Sequence, residues 1–193
     1  MIELYTADTP NGHRVEFMLE EVALPYRKHS LSLVNGDHRT ATFHKLNPSS
    51  RIPVITDEEF VLTQSTAILL YLAEKSGKLL PVSPQIRAKA MEWLSFDATD
   101  MAPTRFDAFL LTRHGQDKAA EILRQRAVEF YAVYDQHLSN HEYLAGAEYS
   151  VADVAAYPWA RSMEHPAIRE LQHLQRWMGQ MSERPACLKL FTQ

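Results

Sequence analysis

The chain of 193 residues contains a single cysteine, Cys187, close to its C-terminal end. One cysteine cannot form an internal disulfide, so we expect a reducing compartment, the cytoplasm. A single cysteine also excludes a Cys-x-x-Cys redox motif. If the protein carries out thiol chemistry, the reactive sulfur must therefore arrive on a ligand.

Long hydrophobic runs and runs of like charge are also missing. No stretch approaches the ~18 uninterrupted apolar residues of a membrane span, and residues 1–5 lack the basic and apolar regions of a signal peptide. The net charge of −4 gives no indication of nucleic-acid binding. We therefore expect neither a nucleic-acid nor a membrane partner, and the apolar content of 46% is that of an ordinary globular protein.

The first 78 residues show a βαβ pattern followed by a ββα pattern. In the first predicted helix, which should follow Gly12, apolar residues recur at i, i+3, i+4 and i+7 as Val15, Met18, Leu19 and Val22. This order predicts an α/β thioredoxin-like domain over residues 1–78. The other predicted elements are strands at 2–5, 26–33, 52–55 and 59–62 and helices at 40–46 and 65–75.

A proline-containing segment, residues 79–84, is predicted to link this domain to a second one. Everything after Pro84 has helical periodicity, which predicts an all-α domain over residues 85–193. Within it, Ser150 and Asp153 have the spacing of a capping box, with Tyr149 and Val154 as the accompanying hydrophobic pair. The alternative is a Ser-x-x-Asp that occurs by chance.

Four segments, in this order, resemble the glutathione S-transferase superfamily. The resemblance implies a thioredoxin-like domain plus an all-α domain, glutathione as co-substrate, and a homodimer. The four segments are Asn47–Val54, which is similar to the approach to the cis-proline of that family, Gln64–Leu72, Tyr149–Asp153 and Arg184–Ala186.

The opening segment, Thr9–His13, most resembles the bacterial Nu class and its disulfide-reductase members. That resemblance implies that Thr9 and Asn11 contact the glutathione sulfur and are the catalytic residues. Tyr5 stands where tyrosine-type transferases place their catalytic residue, so it remains an alternative. Without the resemblance, residues 9–12 would be interpreted only as a turn, since Asn-Gly favours turns.

The resemblance further implies that six residues bind glutathione. A helix N-terminus with a hydroxyl can bind a carboxylate, which suits Gln64 and Ser65, although Ser65 could instead be only an N-cap. A cis peptide bond before Pro53 would let the Ile52 backbone pair with a peptide ligand. Nu-class relatives have glutamine at the position of His38, so Arg51 is the better candidate partner for a carboxylate. The six residues are Asn11, His38, Arg51, Ile52, Gln64 and Ser65.

No metal site is expected from the nine histidines. His137 and His141 are at i,i+4, but no acidic or cysteine companion stands at a useful distance. The three tryptophans are predicted to lie in the core, and Cys187 is predicted to be structural.

Three functions remain open. The first is transfer of the glutathione thiolate to an electrophile, the second is glutathione-dependent disulfide reduction without protein cysteines, and the third is a non-catalytic binding or interaction module. The sequence does not identify the second substrate. The residues predicted to be available to it lie between 101 and 115 and are Arg105, Phe106, Phe109 and Arg113.

Overall fold

The computed structural model describes residues 1–191, which form two compact units. The first comprises residues 1–80 together with 184–191, and the second comprises residues 81–183. The elements of the first unit are β1 (Ile2–Thr6), α1 (Pro10–Val22), β2 (Tyr26–Ser30), α2 (Ala41–Leu46), β3 (Val54–Asp57), β4 (Phe60–Thr63), α3 (Ser65–Ser76) and the C-terminal α10 (Pro185–Phe191).

The four strands of the first unit form one mixed sheet in the order β2-β1-β3-β4. β1 runs parallel to β2 and antiparallel to β3, and β3 runs antiparallel to β4. The predicted apolar stripe of α1 is buried throughout, with at most 3% of any of its four side chains exposed. The structure thus confirms the thioredoxin-like α/β prediction.

β2 ends at Ser30 rather than at the predicted residue 33. The reason is a turn in which the Asp37 carboxylate accepts a hydrogen bond from the backbone N–H of Ser32 at 2.8 Å. Gly36 completes this turn with a φ of 78°, a conformation that favours glycine. A side chain five residues away therefore ends the strand.

The C-terminal helix α10 packs on α1 within the first unit. Arg184 pairs with Glu21 through two hydrogen bonds of 2.7 Å, and Lys189 lies 2.7 Å from Glu20. The predicted helical domain, residues 85–193, differs from the structure here, because residues 184–191 belong to the first unit. Residues 192 and 193 of that prediction lie outside the described residues.

The second unit is built from helices, which confirms the all-α prediction. Trp93, Trp159 and Trp177 are buried, as predicted. The helices are α4 (Pro84–Phe96), a π-helical turn (Asp97–Met101), α5 (Ala102–Arg113), α6 (Asp117–Leu138), α7 (Val151–Arg161), α8 (Pro166–Arg169) and α9 (Gln172–Ser182).

The predicted capping box at the start of α7 is present. Ser150 is the N-cap, and its backbone N–H donates to the Asp153 carboxylate at 3.0 Å. The fully buried Asp153 carboxylate also accepts from the Leu144 N–H and the Trp177 indole N–H, each at 2.9 Å. Burial raises the pKa of the Asp153 carboxyl, and these donors oppose that rise.

Candidate functional site

Three segments of the first unit converge at one end of its sheet. Tyr5 in β1 lies opposite Val54 in β3, and Val54 lies opposite Thr63 in β4. Because β3 runs against both neighbours, the end of β1, the start of β3 and the end of β4 share this end. Strands are spaced ~4.8 Å apart, so the outer two segments lie about 10 Å apart. We call this place the strand-end site.

The first segment of the strand-end site leads into α1. Thr9 is the N-cap of α1, and its hydroxyl oxygen accepts a hydrogen bond from the Gly12 N–H at 3.1 Å. Pro10 occupies the first helical position, where its fixed φ suits the helix. The helix therefore begins at Pro10, and the prediction that it follows Gly12 is wrong. A hydroxyl that accepts one hydrogen bond keeps its own proton to donate.

The turn before α1 lies in close contact with the helix. A β-carbon added at Gly12 would lie 2.2 Å from the Ala7 carbonyl oxygen and 2.4 Å from the Thr6 hydroxyl. Only glycine fits there, because the nearer of these two atoms, the Ala7 carbonyl oxygen, belongs to the backbone and cannot move aside as a side chain could. Asn11 precedes it as the second helical residue and is half-buried. Close packing thus fixes Thr9 and Asn11 beside the end of β1.

The second segment ends in a cis peptide bond between Ile52 and Pro53, as predicted. β3 begins only at Val54, so the Ile52 peptide groups lie outside the strand pairing. Asn47 holds the loop before them: its amide donates to the Arg51 carbonyl at 2.7 Å, and its side-chain oxygen accepts from Ser49. Asn47 is only 5% exposed. No role for Asn47 was predicted from the sequence, although it is the first residue of the segment Asn47–Val54 that resembles the family.

The third segment is the start of α3. Its geometry corrects the alternative that Ser65 is the N-cap of this helix. Gln64, not Ser65, is the N-cap residue, with a φ of 69°. No side chain within residues 1–191 caps α3 through a hydrogen bond. Ser65 is already helical, so it is not the N-cap that the sequence offered as an alternative. The positive φ angle of Gln64 turns the chain sharply from β4 into the helix.

Arg14 joins the first and third segments. It is 1% exposed, and its guanidinium Nη1 donates to the Ser65 hydroxyl oxygen at 3.4 Å. It stands three residues after Asn11 on α1, so the two side chains share a helix face. The sequence pattern does not single out Arg14, because a charged residue within an amphipathic helix is ordinarily solvated.

Among residues 1–191, the His38 side chain makes no hydrogen bond to the strand-end site. It lies in the short 3₁₀ turn Asp37–Arg39, and its buried Nδ1 has no partner among the described residues. Arg51 is exposed and immediately precedes Ile52. Of the predicted binding residues, the structure therefore brings together Asn11, Arg51, Ile52, Gln64 and Ser65.

Tyr5 is packed rather than presented at the site. Its ring stacks on that of His29, with centroids 4.5 Å apart and planes at 11°, and meets Phe43 edge-on at 6.4 Å. The strand alternates sides, so Tyr5 and the buried Leu4 point to opposite faces of the sheet. This packing supports Thr9 and Asn11 over Tyr5 as the residues beside a ligand.

Within the second unit, the residues predicted for a second substrate divide into two kinds. Arg105 is engaged: it donates to the Tyr131 hydroxyl at 2.8 Å and the Trp159 carbonyl at 2.7 Å. The prediction that Arg105 is available is therefore wrong, because it ties α5 to α6 and α7. Phe106 and Phe109 are exposed, by 38% and 54%.

Within residues 1–191, no group of three or more histidine, cysteine, aspartate or glutamate side chains is placed to hold a metal ion. No helix in this range has both the length and the apolar character needed to cross a bilayer.

Two family models match the chain. The glutathione S-transferase N-terminal domain matches residues 2–74, and the glutathione S-transferase C-terminal domain matches residues 90–185. The chain belongs to the glutathione S-transferase family. The predicted resemblance is confirmed, and so is the predicted architecture of a thioredoxin-like domain followed by a helical one.

Curated relatives match almost the whole chain. Disulfide-bond oxidoreductase YfcG of Escherichia coli is 33% identical, with 96% of this chain and 92% of that protein covered. Disulfide-bond oxidoreductase YghU of the same organism is 32% identical, with 96% of this chain and 72% of that protein covered.

A solved structure with the same fold contains glutathione. A glutathione transferase family member from Pseudomonas fluorescens, with two glutathione bound, superposes with a TM-score of 0.91 at 32% identity, covering 97% of this chain and 91% of that one. These findings support the prediction of a glutathione-dependent enzyme.

Proposed function

We propose that the protein binds glutathione at the strand-end site and uses its thiolate as a nucleophile. The observation that carries the proposal is the convergence of the α1 start, the Ile52–Pro53 bond and the α3 start at one end of the sheet. Their outer members lie about 10 Å apart, which is the length of three extended residues. A tripeptide fits this span.

The start of α1 supplies what a thiolate needs. A free thiol has a pKa near 8.5, so only a few per cent is ionised at pH 7. Lowering that pKa by about two units takes roughly 2.7 kcal/mol of differential stabilisation. The Thr9 hydroxyl proton, the Asn11 amide and the positive end of the α1 dipole can together provide it.

The other two segments of the strand-end site would bind the two carboxylates and the backbone of glutathione. The uncapped N–H groups at the start of α3, with Gln64 and the Ser65 hydroxyl, suit the γ-glutamyl carboxylate. The peptide groups of Ile52 lie outside the sheet and suit the cysteinyl backbone. Arg51, exposed beside Ile52, suits the glycine carboxylate, with His38 as an alternative candidate.

In the first reaction the thiolate attacks an electrophilic carbon, a carbon–sulfur bond forms, and the electron pair moves to a leaving group or to the adjacent atom of a conjugated acceptor. The protein holds the glutathione thiolate in the reactive geometry and excludes unreactive conformations of the bound glutathione. No protein nucleophile is needed, which agrees with a single cysteine that is only 3% exposed.

Disulfide reduction is a second candidate, and the names of the two curated relatives favour it. One glutathione thiolate would attack a disulfide, forming a mixed disulfide and releasing a thiolate. A second glutathione thiolate would then attack the glutathione sulfur of the mixed disulfide, which releases the second substrate thiolate and forms glutathione disulfide. Two electrons thus come from two glutathiones, and none comes from the protein.

One experiment separates the candidates. Turnover of a model electrophile and of a small disulfide is measured side by side at millimolar glutathione, with calorimetric binding of glutathione as the reference. Activity toward the electrophile supports transfer, and activity toward the disulfide supports reduction. Binding without either activity would support the non-catalytic module, and no binding would reject all three.

We also propose a cytoplasmic homodimer, as the family resemblance implies. One chain has a mass of 22.1 kDa. Light scattering at micromolar concentration should give about twice that mass, and a value for one chain would reject the dimer.

A further inference from the structure

Arg14 is a buried charged side chain to which the proposed chemistry assigns no role. It is 1% exposed and among the largest fully buried side chains of the described residues. Burying a charged group is costly unless that group is paired and hydrogen-bonded. The position of the guanidinium is therefore better explained by what its N–H groups reach than by the packing of its stem.

One group that Arg14 reaches is the Ser65 hydroxyl, the first hydroxyl of α3. Its Nη1 lies 3.4 Å from the Ser65 oxygen, across 51 residues of sequence. A guanidinium can only donate, so the Ser65 oxygen is the acceptor in this contact. The serine proton is then left to point elsewhere, and the uncapped N–H groups at the start of α3 lie next to it.

We propose that Arg14 is a positioning residue for anion recognition at the start of α3. By donating to the Ser65 oxygen, Arg14 orients the hydroxyl so that its proton faces the ligand, and it places a buried positive charge behind that hydroxyl. A hydroxyl whose oxygen accepts a hydrogen bond from a charged group is polarised and becomes a stronger donor in turn. The inference rests on the proposed function, since the ligand group concerned is the γ-glutamyl carboxylate of glutathione.

The test compares two ligands that differ in one carboxylate. Glutathione and 4-aminobutyryl-cysteinyl-glycine, which lacks the carboxylate of the γ-glutamyl residue, are titrated calorimetrically. The readout is the dissociation constant of the analogue divided by that of glutathione. General damage to the site would weaken both ligands and leave the ratio unchanged, whereas loss of carboxylate recognition lowers the ratio.

Four variants are compared with the wild type: Arg14→Met, Arg14→Lys, Ser65→Ala, and Arg14→Met combined with Ser65→Ala. Arg27→Met serves as the matched control, because Arg27 lies on β2 of the same unit with 63% of its side chain exposed. Arg14→Met and Ser65→Ala should each lower the ratio about tenfold, which is the loss of one hydrogen bond to a charged group. Arg14→Lys should lower it less, and Arg27→Met should not change it.

The double variant distinguishes a relay from two independent contacts. If Arg14 acts through Ser65, the double variant should be no worse than Ser65→Ala, whereas independent contacts would multiply to about a hundredfold. An unchanged ratio in whichever Arg14 variant folds would overturn the inference, and so would multiplied losses. Failure of the wild type to bind glutathione would instead reject the proposed function itself.

Discussion

Two helix starts in this protein are built in opposite ways. At the start of α7, the Ser150 side chain and the Asp153 carboxylate satisfy the first N–H groups and each other. At the start of α3, no side chain among residues 1–191 provides a cap, and Gln64 holds a positive φ of 69°. Both helices are well packed, since each has several fully buried residues.

The difference shows where the chain satisfies its own polar groups and where it does not. The first N–H groups of a helix need an acceptor from a side chain, water or a ligand. α7 uses side chains that are buried with it, so its start is structural. α3 and the nearby start of α1 lie at one end of the sheet, and there a ligand can supply the acceptor. A closed start should govern stability, and an open start should govern binding.

The largest effect is expected at the closed start. Asp153→Ala removes the acceptor of four donors, including the Trp177 indole and the Leu144 N–H, and leaves them buried. The free energy of unfolding should fall by about 3–5 kcal/mol. Urea denaturation measures this, with Ser150→Ala as a control that should lose only ~1 kcal/mol. A loss at Asp153 no larger than at Ser150 would contradict the closed-start account.

The next effect is expected at the open start of α1. Asn11→Ala should lower turnover about 10- to 150-fold, because one hydrogen bond to a charged group contributes about 1.5–3 kcal/mol. Tyr5→Phe is the control and should change turnover little, since the Tyr5 ring is packed against His29. Steady-state kinetics with glutathione as co-substrate measures the turnover of both variants. The reverse order would place the protein among tyrosine-type transferases.

Thr9 should show a mixture of both kinds of effect. Its hydroxyl caps α1 by accepting from the Gly12 N–H, so Thr9→Val should cost ~1 kcal/mol of stability. Turnover should fall by less than in Asn11→Ala and more than in Tyr5→Phe. Thr9→Ser is the matched control, because it keeps the hydroxyl and should preserve both properties. Loss of stability with unchanged turnover would make Thr9 a cap alone.

The smallest effect concerns His13, next to the open start. Burial lowers the pKa of this histidine below its ordinary value of about 6.5, although Asp8, 2.9 Å away, opposes the shift. The folded state therefore binds the proton less tightly than the unfolded state, and stability is lost as the pH falls below about 6.5. Denaturation between pH 7.5 and 5 should show a shallower fall in His13→Gln. Parallel curves would reject this contribution.

The sequence predicted the parts of this molecule that depend on periodicity and local capping. The stripe Val15–Val22 marked the buried face of α1, and Ser150 with Asp153 marked the start of α7. Such signals are contained within a few residues. The cis bond before Pro53 came only from the family resemblance, because an isolated X-Pro sequence favours trans.

The errors share a physical cause: each depends on a partner that is distant in sequence or on a backbone conformation. The contact from Arg14 to Ser65 spans 51 residues, and that from Arg184 to Glu21 spans 163. No local pattern reports either contact, so Arg14 was missed and α10 was placed in the wrong unit. Asn11 and Gly12 favoured a turn, but the N-cap Thr9 and Pro10 at the first helical position place both of them inside α1.

The ionisation of bound glutathione tests the central claim most directly. Thiolate absorbance of glutathione bound to the wild-type protein is titrated against pH, with free glutathione as the reference. The account predicts a midpoint about two pH units below that of the free thiol, moving back toward it in Asn11→Ala. A midpoint equal to that of free glutathione in the saturated wild-type complex would contradict thiol activation at the start of α1.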